Sequence, residues 1–272
     1  MRIAKALHCT WLLPCLLLAA SQFSTPVAGG EAPACGSLPG GAAVHRGGEL
    51  DSVLDVLSWN IQKARNAGWA EDLVSFADGV DLAFIQEASL GAGIPDVLSG
   101  SLFEAFAEGY TTADERTGVM TLSAAAPSGH CRLTAREPWL GTPKATGITE
   151  YALRGSDEPL LAVNLHAVNF ELAPTRFRSQ FRALGDVLDG HTGPVIVAGD
   201  MNTWSAGRQS LVDAFMAEHG LGSVRFEDDL RTRAFGRALD HIYVRGLQAE
   251  AARVIPVVSS DHNPLRVRLA VQ

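Results

Sequence analysis

One pattern recurs along this 272-residue chain: an apolar run of strand length lies next to a residue able to bind a metal or move a proton. Asn60 follows Leu57-Ser58-Trp59, Glu87 follows Phe84-Ile85-Gln86, and His166 follows Val163-Asn164-Leu165. Asp200 and Asn202 follow Val195-Ile196-Val197, and Asp240 and His241 precede Ile242-Tyr243-Val244. Asp261 and His262 stand between Val257-Val258 and an alternating C-terminal run. Taken singly, each has an ordinary explanation: a strand cap at Glu87, a core histidine at His166, an Asp240–arginine pair, a turn at Gly199-Asp200. The repeated context points instead to one site assembled at strand ends, where a rigid sheet fixes catalytic groups.

The residue types specify the chemistry. Asp200 and Asn202 are two apart, so on extended backbone they project the same way. Hard oxygen ligands such as Glu87 and the aspartates favour Mg²⁺, Mn²⁺ or Ca²⁺. None of these stretches contains cysteine, which argues against a structural zinc site. A histidine paired with an aspartate acts as a general base on water, and a divalent cation beside it neutralises charge on a phosphoryl group. The expected reaction is metal-assisted hydrolysis of a phosphate ester.

The elements that must hold these residues are legible from periodicity. Strands are expected at 56–61, 82–85, 160–165, 195–197, 242–244 and 254–255, with weaker candidates at 118–123 and 149–153. Helical spacing relates Trp69, Leu73, Phe76 and Ala77, then Phe177, Phe181, Leu184 and Leu188 after Pro174, then Leu211, Val212, Phe215 and Met216. The C-terminus alternates Leu265, Val267, Leu269 and Val271 with Arg266 and Arg268, a half-buried strand. No internal repeat or long linker interrupts the pattern, so residues 54–272 read as one α/β domain.

Arg2 and Lys5 precede an apolar run from Trp11 to Ala20, broken by Pro14, which reads as a secretory signal peptide within residues 1–28. Cleavage after Ala20 and cleavage near Ala28 both fit. The run is too short for a comfortable membrane span, so the mature chain is expected in the periplasm or outside the cell, without a stable span and as a monomer. Residues 29–53 read as an irregular arm rich in Gly, Ala and Pro. If the signal is removed, Cys9 and Cys15 go with it, and Cys35 and Cys131 are expected to pair as a disulfide. A net charge of −8 argues against broad attraction to nucleic acid or anionic membrane.

The ordered blocks Ser58-Trp59-Asn60, Ile85-Gln86-Glu87, Gly199-Asp200-Met201-Asn202, Leu239-Asp240-His241-Ile242 and Ser260-Asp261-His262-Asn263-Pro264-Leu265 resemble the endonuclease/exonuclease/phosphatase superfamily. It includes DNase I-like nucleases, abasic-site endonucleases, inositol polyphosphate 5-phosphatases and neutral sphingomyelinases. The stretches from Arg136-Glu137-Pro138-Trp139 to Lys144, His166-Ala167-Val168-Asn169-Phe170, and Arg233-Ala234-Phe235-Gly236-Arg237 look like a little-characterised bacterial subgroup. The resemblance implies a four-layer α/β sandwich: two face-to-face mixed β-sheets flanked by helices. It implies Glu87 as principal metal ligand with Asn60 beside it, and Asp261 near the metal. Asp200 would activate water, Asn202 would hold a phosphate oxygen, His166 would contact the scissile phosphate, and His262 paired with Asp240 would be the acid–base group.

One position departs. Several nucleases of the superfamily carry an aspartate two residues after the first-block asparagine, where this chain has Gln62. The leading expectation is a metal-dependent, nuclease-like phosphodiesterase with nucleic acid among its candidate substrates. A lipid or small-molecule phosphoesterase of the sphingomyelinase kind is the second. No apolar hairpin of the sort a lipid enzyme needs is evident from the sequence. A secreted, catalytically inactive binding module ranks last, because the main ligand and base positions are all filled.

Overall fold

The computed structural model describes residues 35, 48–98, 102–171 and 173–272. The signal peptide expected at residues 1–28, and the arm up to residue 47 apart from Cys35, lie outside the described residues. The chain runs β1 (Val53–Asn60), α1 (Trp69–Ala77), β2 (Leu82–Ser89), α2 (Ile94–Val97), β3 (Phe103–Thr111), β4 (Arg116–Ser123), β5 (Gly129–Arg136), β6 (Pro143–Tyr151) and β7 (Leu160–His166). It continues α3 (Thr175–Asp189), β8 (Val195–Asp200), α4 (Ala206–Glu218), β9 (Gly222–Ser223), β10 (Arg233–Ala234), β11 (Arg237–Ala238), β12 (Asp240–Arg245), β13 (Leu247–Val254) and β14 (Leu265–Val271).

Two six-stranded sheets form, in the orders β13-β14-β1-β2-β4-β3 and β5-β6-β7-β8-β12-β9. Both are mixed: β1 with β2, and β7 with β8, run parallel, while their other neighbours run antiparallel. Strand alternation explains the layering. Leu54, Val56, Leu82 and Phe84 meet Leu160, Ala162, Ile196, Ala198 and Ile242 in one buried cluster between the sheets. The intervening residues point outward. Leu57, Trp59 and Ile85 pack with Leu73 of α1, and Leu161, Val163 and Val197 pack with Phe177, Phe181 and Leu184 of α3. This is the expected four-layer sandwich.

The strands missed by periodicity lie at sheet edges. β3, β5 and β13 end their sheets; of β13 only the last residue, Val254, fell in an expected strand, β13 is mostly exposed, and β3 has a single buried residue. An edge strand with a solvated face carries no apolar run to signal it. The packed chain also begins before residue 54: Leu50 is buried, bridges Leu153, and donates its N–H to the Ala152 carbonyl at 2.9 Å. Cys35 and Cys131 form a disulfide with Cα atoms 4.8 Å apart, tying the arm to β5.

Candidate active site

The inner faces of β1, β7, β8 and β12 all end in polar residues at one edge of the sandwich. Asn60 continues the inward face of Leu54 and Val56, and His166 that of Leu160 and Ala162. In register, Asp200 stands opposite His166 on β7 and opposite Asp240 on β12. β8 comes this close to β7 only because residue 199 is glycine: at φ +141°, an added Cβ would lie 2.0 Å from the Leu165 carbonyl oxygen. Glu87 breaks the alternation of β2. Its φ is +51°, within a bulge between Ile85 and Ala88, and this turn brings Glu87 to the cleft while Gln86 keeps the inner face of Leu82 and Phe84. Asn202 also has a positive φ, +49°. Such positions cost backbone energy and cluster at functional sites.

The contacts converge on Asp200. Its Oδ2 receives Asn60 Nδ2 at 3.1 Å and lies 3.5 Å from His166 Nε2 and 3.9 Å from His262 Nε2. Its Oδ1 receives the Asn202 backbone N–H at 3.0 Å. His262 Nδ1 is 2.8 Å from Asp240 Oδ2. Glu87 Oε1 lies 3.9 Å from both His166 Nε2 and Lys144 Nζ. A cleft of about 270 Å³ opens beside Glu87, Lys144 and His166. Asn202 turns its Nδ2 to the Ala167 carbonyl, at 3.0 Å. Asp261 is exposed at the rim; its Oδ1 lies 3.5 Å from the Ser260 hydroxyl oxygen, outside the cluster around Asp200. His241 points to the outer face, where Nε2 meets Thr203 Oγ1 at 2.7 Å and Nδ1 meets Arg231 Nη1 at 3.1 Å.

Electrostatics divides the histidines. Burial would push His262 down, but the carboxylates of Asp240 and Asp200 and the Asp240 hydrogen bond outweigh it, and its pKa is raised to about 10. Asp240 and Asp200 flank it, and an imidazolium there donates its Nδ1–H to Asp240. His166 shifts oppositely, well below its usual value, through burial and the neighbouring Lys144 and His262. Its neutral Nε2 accepts from Lys144 Nζ at 2.8 Å. Burial raises the Asp200 pKa, with His262 opposing.

Several supporting residues escaped the sequence reading. Ser260 donates Oγ to the Asn60 carbonyl at 2.6 Å and accepts the His262 N–H at 3.2 Å, while Trp59 Nε1 donates to the His262 carbonyl at 2.9 Å. Buried Glu137 accepts the backbone N–H groups of Asn169 and Phe170 at 2.7 and 2.9 Å, shaping the loop after His166. Arg208 reaches from α4 to the Asn202 carbonyl at 2.7 Å and stacks over Phe177, 3.9 Å from the ring centroid. Lys144 was noted only as the end of a motif. A lysine at a strand start carries no sequence signal that it turns toward a histidine and a glutamate.

The donor chemistry fits a divalent cation. Glu87 is a partly exposed carboxylate facing the cleft, and Asn60 Oδ1 keeps a lone pair beyond the one taken by Gln62 N–H at 3.1 Å. Asp200, Asp240 and His262 place ligand atoms within 4.8 Å of one another. This trio differs from the expected Glu87, Asn60 and Asp261, and its His262 nitrogen Nδ1 is already engaged by Asp240. Gln62, at the position of the missing carboxylate, accepts Asn66 Nδ2 at 2.6 Å.

Residues 57–262 match the Endonuclease/Exonuclease/phosphatase family. The chain is 40% identical over 229 residues to a UPF0294 protein of Vibrio cholerae serotype O1, covering 81% of this chain and 79% of that one. Its structure is similar to an endonuclease/exonuclease/phosphatase from Beutenbergia cavernae, with TM-score 0.64, 15% identity, and coverage of 80% and 72% of the two chains. It is also similar to a mannosyl-6-phosphatase from Bacteroides thetaiotaomicron, with TM-score 0.61, 17% identity, and coverage of 80% and 99%.

Proposed function

Because the chain belongs to the Endonuclease/Exonuclease/phosphatase family, whose members hydrolyse phosphate esters, we propose that it is a divalent-cation-dependent phosphodiesterase. The observation that carries this reading is the Asp240–His262 pair at 2.8 Å, with His262 Nε2 turned toward Asp200 at 3.9 Å. Buried Asp200 takes the proton of the attacking water, whose oxygen bonds to phosphorus as the ester P–O bond breaks. His262, fixed by Asp240, directs its Nε2–H at the phosphoryl group and gives that proton to the leaving ester oxygen as the P–O bond breaks. Lys144 adds a fixed positive charge beside the cleft. A bound cation, Mg²⁺ or else Mn²⁺ or Ca²⁺, would neutralise phosphoryl charge; Glu87 and Asn60 would hold it, with Asp261 at the rim. His166 and Asn202 line the position of the phosphate.

The nuclease-like version draws little support from a net charge of −8 or from Gln62. The disulfide supports an exported location, because such bonds persist in oxidising compartments. No described helix is long and apolar enough to cross a membrane, and the chain is read as a monomer. The test is a screen of purified protein with each cation against bis(p-nitrophenyl) phosphate, DNA, RNA, sphingomyelin and inositol phosphates. Hydrolysis of a diester that stops on chelation supports the reading. No turnover of any diester with any of the three cations ends it.

A further inference from the structure

The end of the molecule that holds the cleft also holds most of its exposed apolar side chains. The turn between β5 and β6 presents Trp139 and Leu140, 75% and 62% exposed; the segment after β7 presents Phe170; and the β10–β11 hairpin carries Phe235 at its tip, 89% exposed. Trp139, Phe170 and Phe235 line one cavity of about 490 Å³ with Trp204 and Asn202, and Leu140 and Phe170 also line the cleft beside Glu87 and His166. Val258, 95% exposed, lies two residues before Ser260, and Leu230 accepts a hydrogen bond from Asn263, next to His262. Tyr110 lines the cleft as well. Of the nine large hydrophobic side chains exposed among the described residues, five (Tyr110, Trp139, Leu140, Phe170 and Phe235) line these two cavities. Scattered exposed apolar residues are ordinary; a concentration around one cleft marks a binding surface.

The charges on this face narrow the partner. Arg233 and Arg237 flank Phe235 on the hairpin, Arg136 lies three residues before Trp139, and Arg176 donates to the Arg136 carbonyl at 3.3 Å; all four arginines are exposed. Three acids beside these rings are engaged, and one of them, Asp229, occupies Arg233. Glu137 is buried against two backbone N–H groups, Glu171 accepts the N–H groups of Arg176 and Phe177, and Asp229 pairs with Arg231 and Arg233. An acidic protein therefore presents aromatic tips among arginines at its catalytic end. That combination suits the interface of an anionic lipid surface, where rings bury at the headgroup level and basic residues meet phosphate. Stacking on nucleic-acid bases uses rings, and it leaves Leu140 without a role.

We propose that this face docks on an anionic lipid surface and that the substrate is a phosphate ester presented from that surface. The inference deepens the function proposed above and rests on the cleft being the hydrolytic site. It also answers the sequence expectation that no apolar hairpin was evident. Phe235 is a single ring between Ala234 and Gly236, with arginines beyond them, and it becomes part of a patch only when Trp139, Leu140 and Phe170 fold beside it.

The experiment compares the full exported chain with a Trp139→Ala/Phe235→Ala double variant, both sites being too exposed to support the core. Sedimentation with phosphatidylglycerol vesicles should pellet the native protein, phosphatidylcholine vesicles should pellet less, and the double variant should lose about tenfold or more of its partitioning. Turnover of soluble bis(p-nitrophenyl) phosphate should be equal in the two proteins. Failure to bind phosphatidylglycerol, equal binding by the variant, loss of single-stranded DNA binding in its place, or a dimer that the substitutions dissociate would each overturn the proposal. Vesicle binding that needs Trp139 and Phe235, without hydrolysis of any diester, would uphold the docking surface and sink the catalytic reading.

Discussion

Asp200 and Asp240 stand directly opposite each other across the antiparallel β8–β12 pair. Like charges in that relation destabilise a sheet, and both residues are buried. His262 resolves the conflict, with Nδ1 on Asp240 at 2.8 Å and Nε2 3.9 Å from Asp200. The pair of carboxylates makes the imidazole a strong proton holder, and the imidazole makes the pair tolerable.

Removing His262 therefore removes both an acid and a counter-charge. His262→Ala should lower kcat by about 10²–10⁴ with a smaller change in KM, because its hydrogen bond strengthens as charge develops. Asp240→Asn should lose a similar amount, and the double variant should lose little more than either single one. Steady-state kinetics on the diester found by the screen checks this. Near-native turnover by folded His262→Ala would refute the assigned role.

Glu87 has a different signature. Glu87→Ala should raise the Mg²⁺ concentration needed for half-maximal activity, and excess Mg²⁺ should restore part of the rate. Chelation should abolish turnover of the native protein, and added cation should return it. A Glu87→Ala protein with an unchanged Mg²⁺ titration would move the cation elsewhere.

His241 makes stability depend on pH. Burial, and then the adjacent Arg231, lower its pKa to about 4 in the folded protein, against about 6.5 in an unfolded chain. Between those values the unfolded state binds more protons, so this stabilisation is present above about pH 6.5 and is lost as pH falls toward 4. The loss is on the order of 3 kcal/mol. Urea unfolding midpoints of native protein and His241→Gln, measured from pH 7 to pH 4, should diverge in slope. Parallel curves would show that His241 does not carry the effect.

The Cys35–Cys131 bridge closes a loop with a sequence separation of 96. In the chain-entropy model a loop of that size stabilises by up to about 4–5 kcal/mol. Cys35→Ser should lower the Tm, and dithiothreitol should lower the native Tm to match. If both thiols of the purified protein react with an alkylating reagent before reduction, the bridge is absent in solution.

Local chemistry determined much of this protein. The apolar runs ending at Asn60, His166 and Asp200 are buried central strands, and central strands must be apolar on both faces, so periodicity reveals them. The apolar stripe from Phe177 to Leu188 revealed α3 for the same reason. The identities of Glu87, Asp200, Asp240 and His262 announced hydrolytic chemistry before any distance was known. Tertiary structure decided the rest. β3, β5 and β13 gain their place from a neighbour rather than from their own side chains. The positive φ of Glu87 comes from a bulge against β4 that no residue spacing encodes. Asp240 and His241 are adjacent in sequence, yet strand alternation turns one to His262 and the other to Thr203 and Arg231. The protonation of His262 depends on carboxylates 22 and 62 residues away in the chain, and charges act through space, so it could be read only once the two sheets had met.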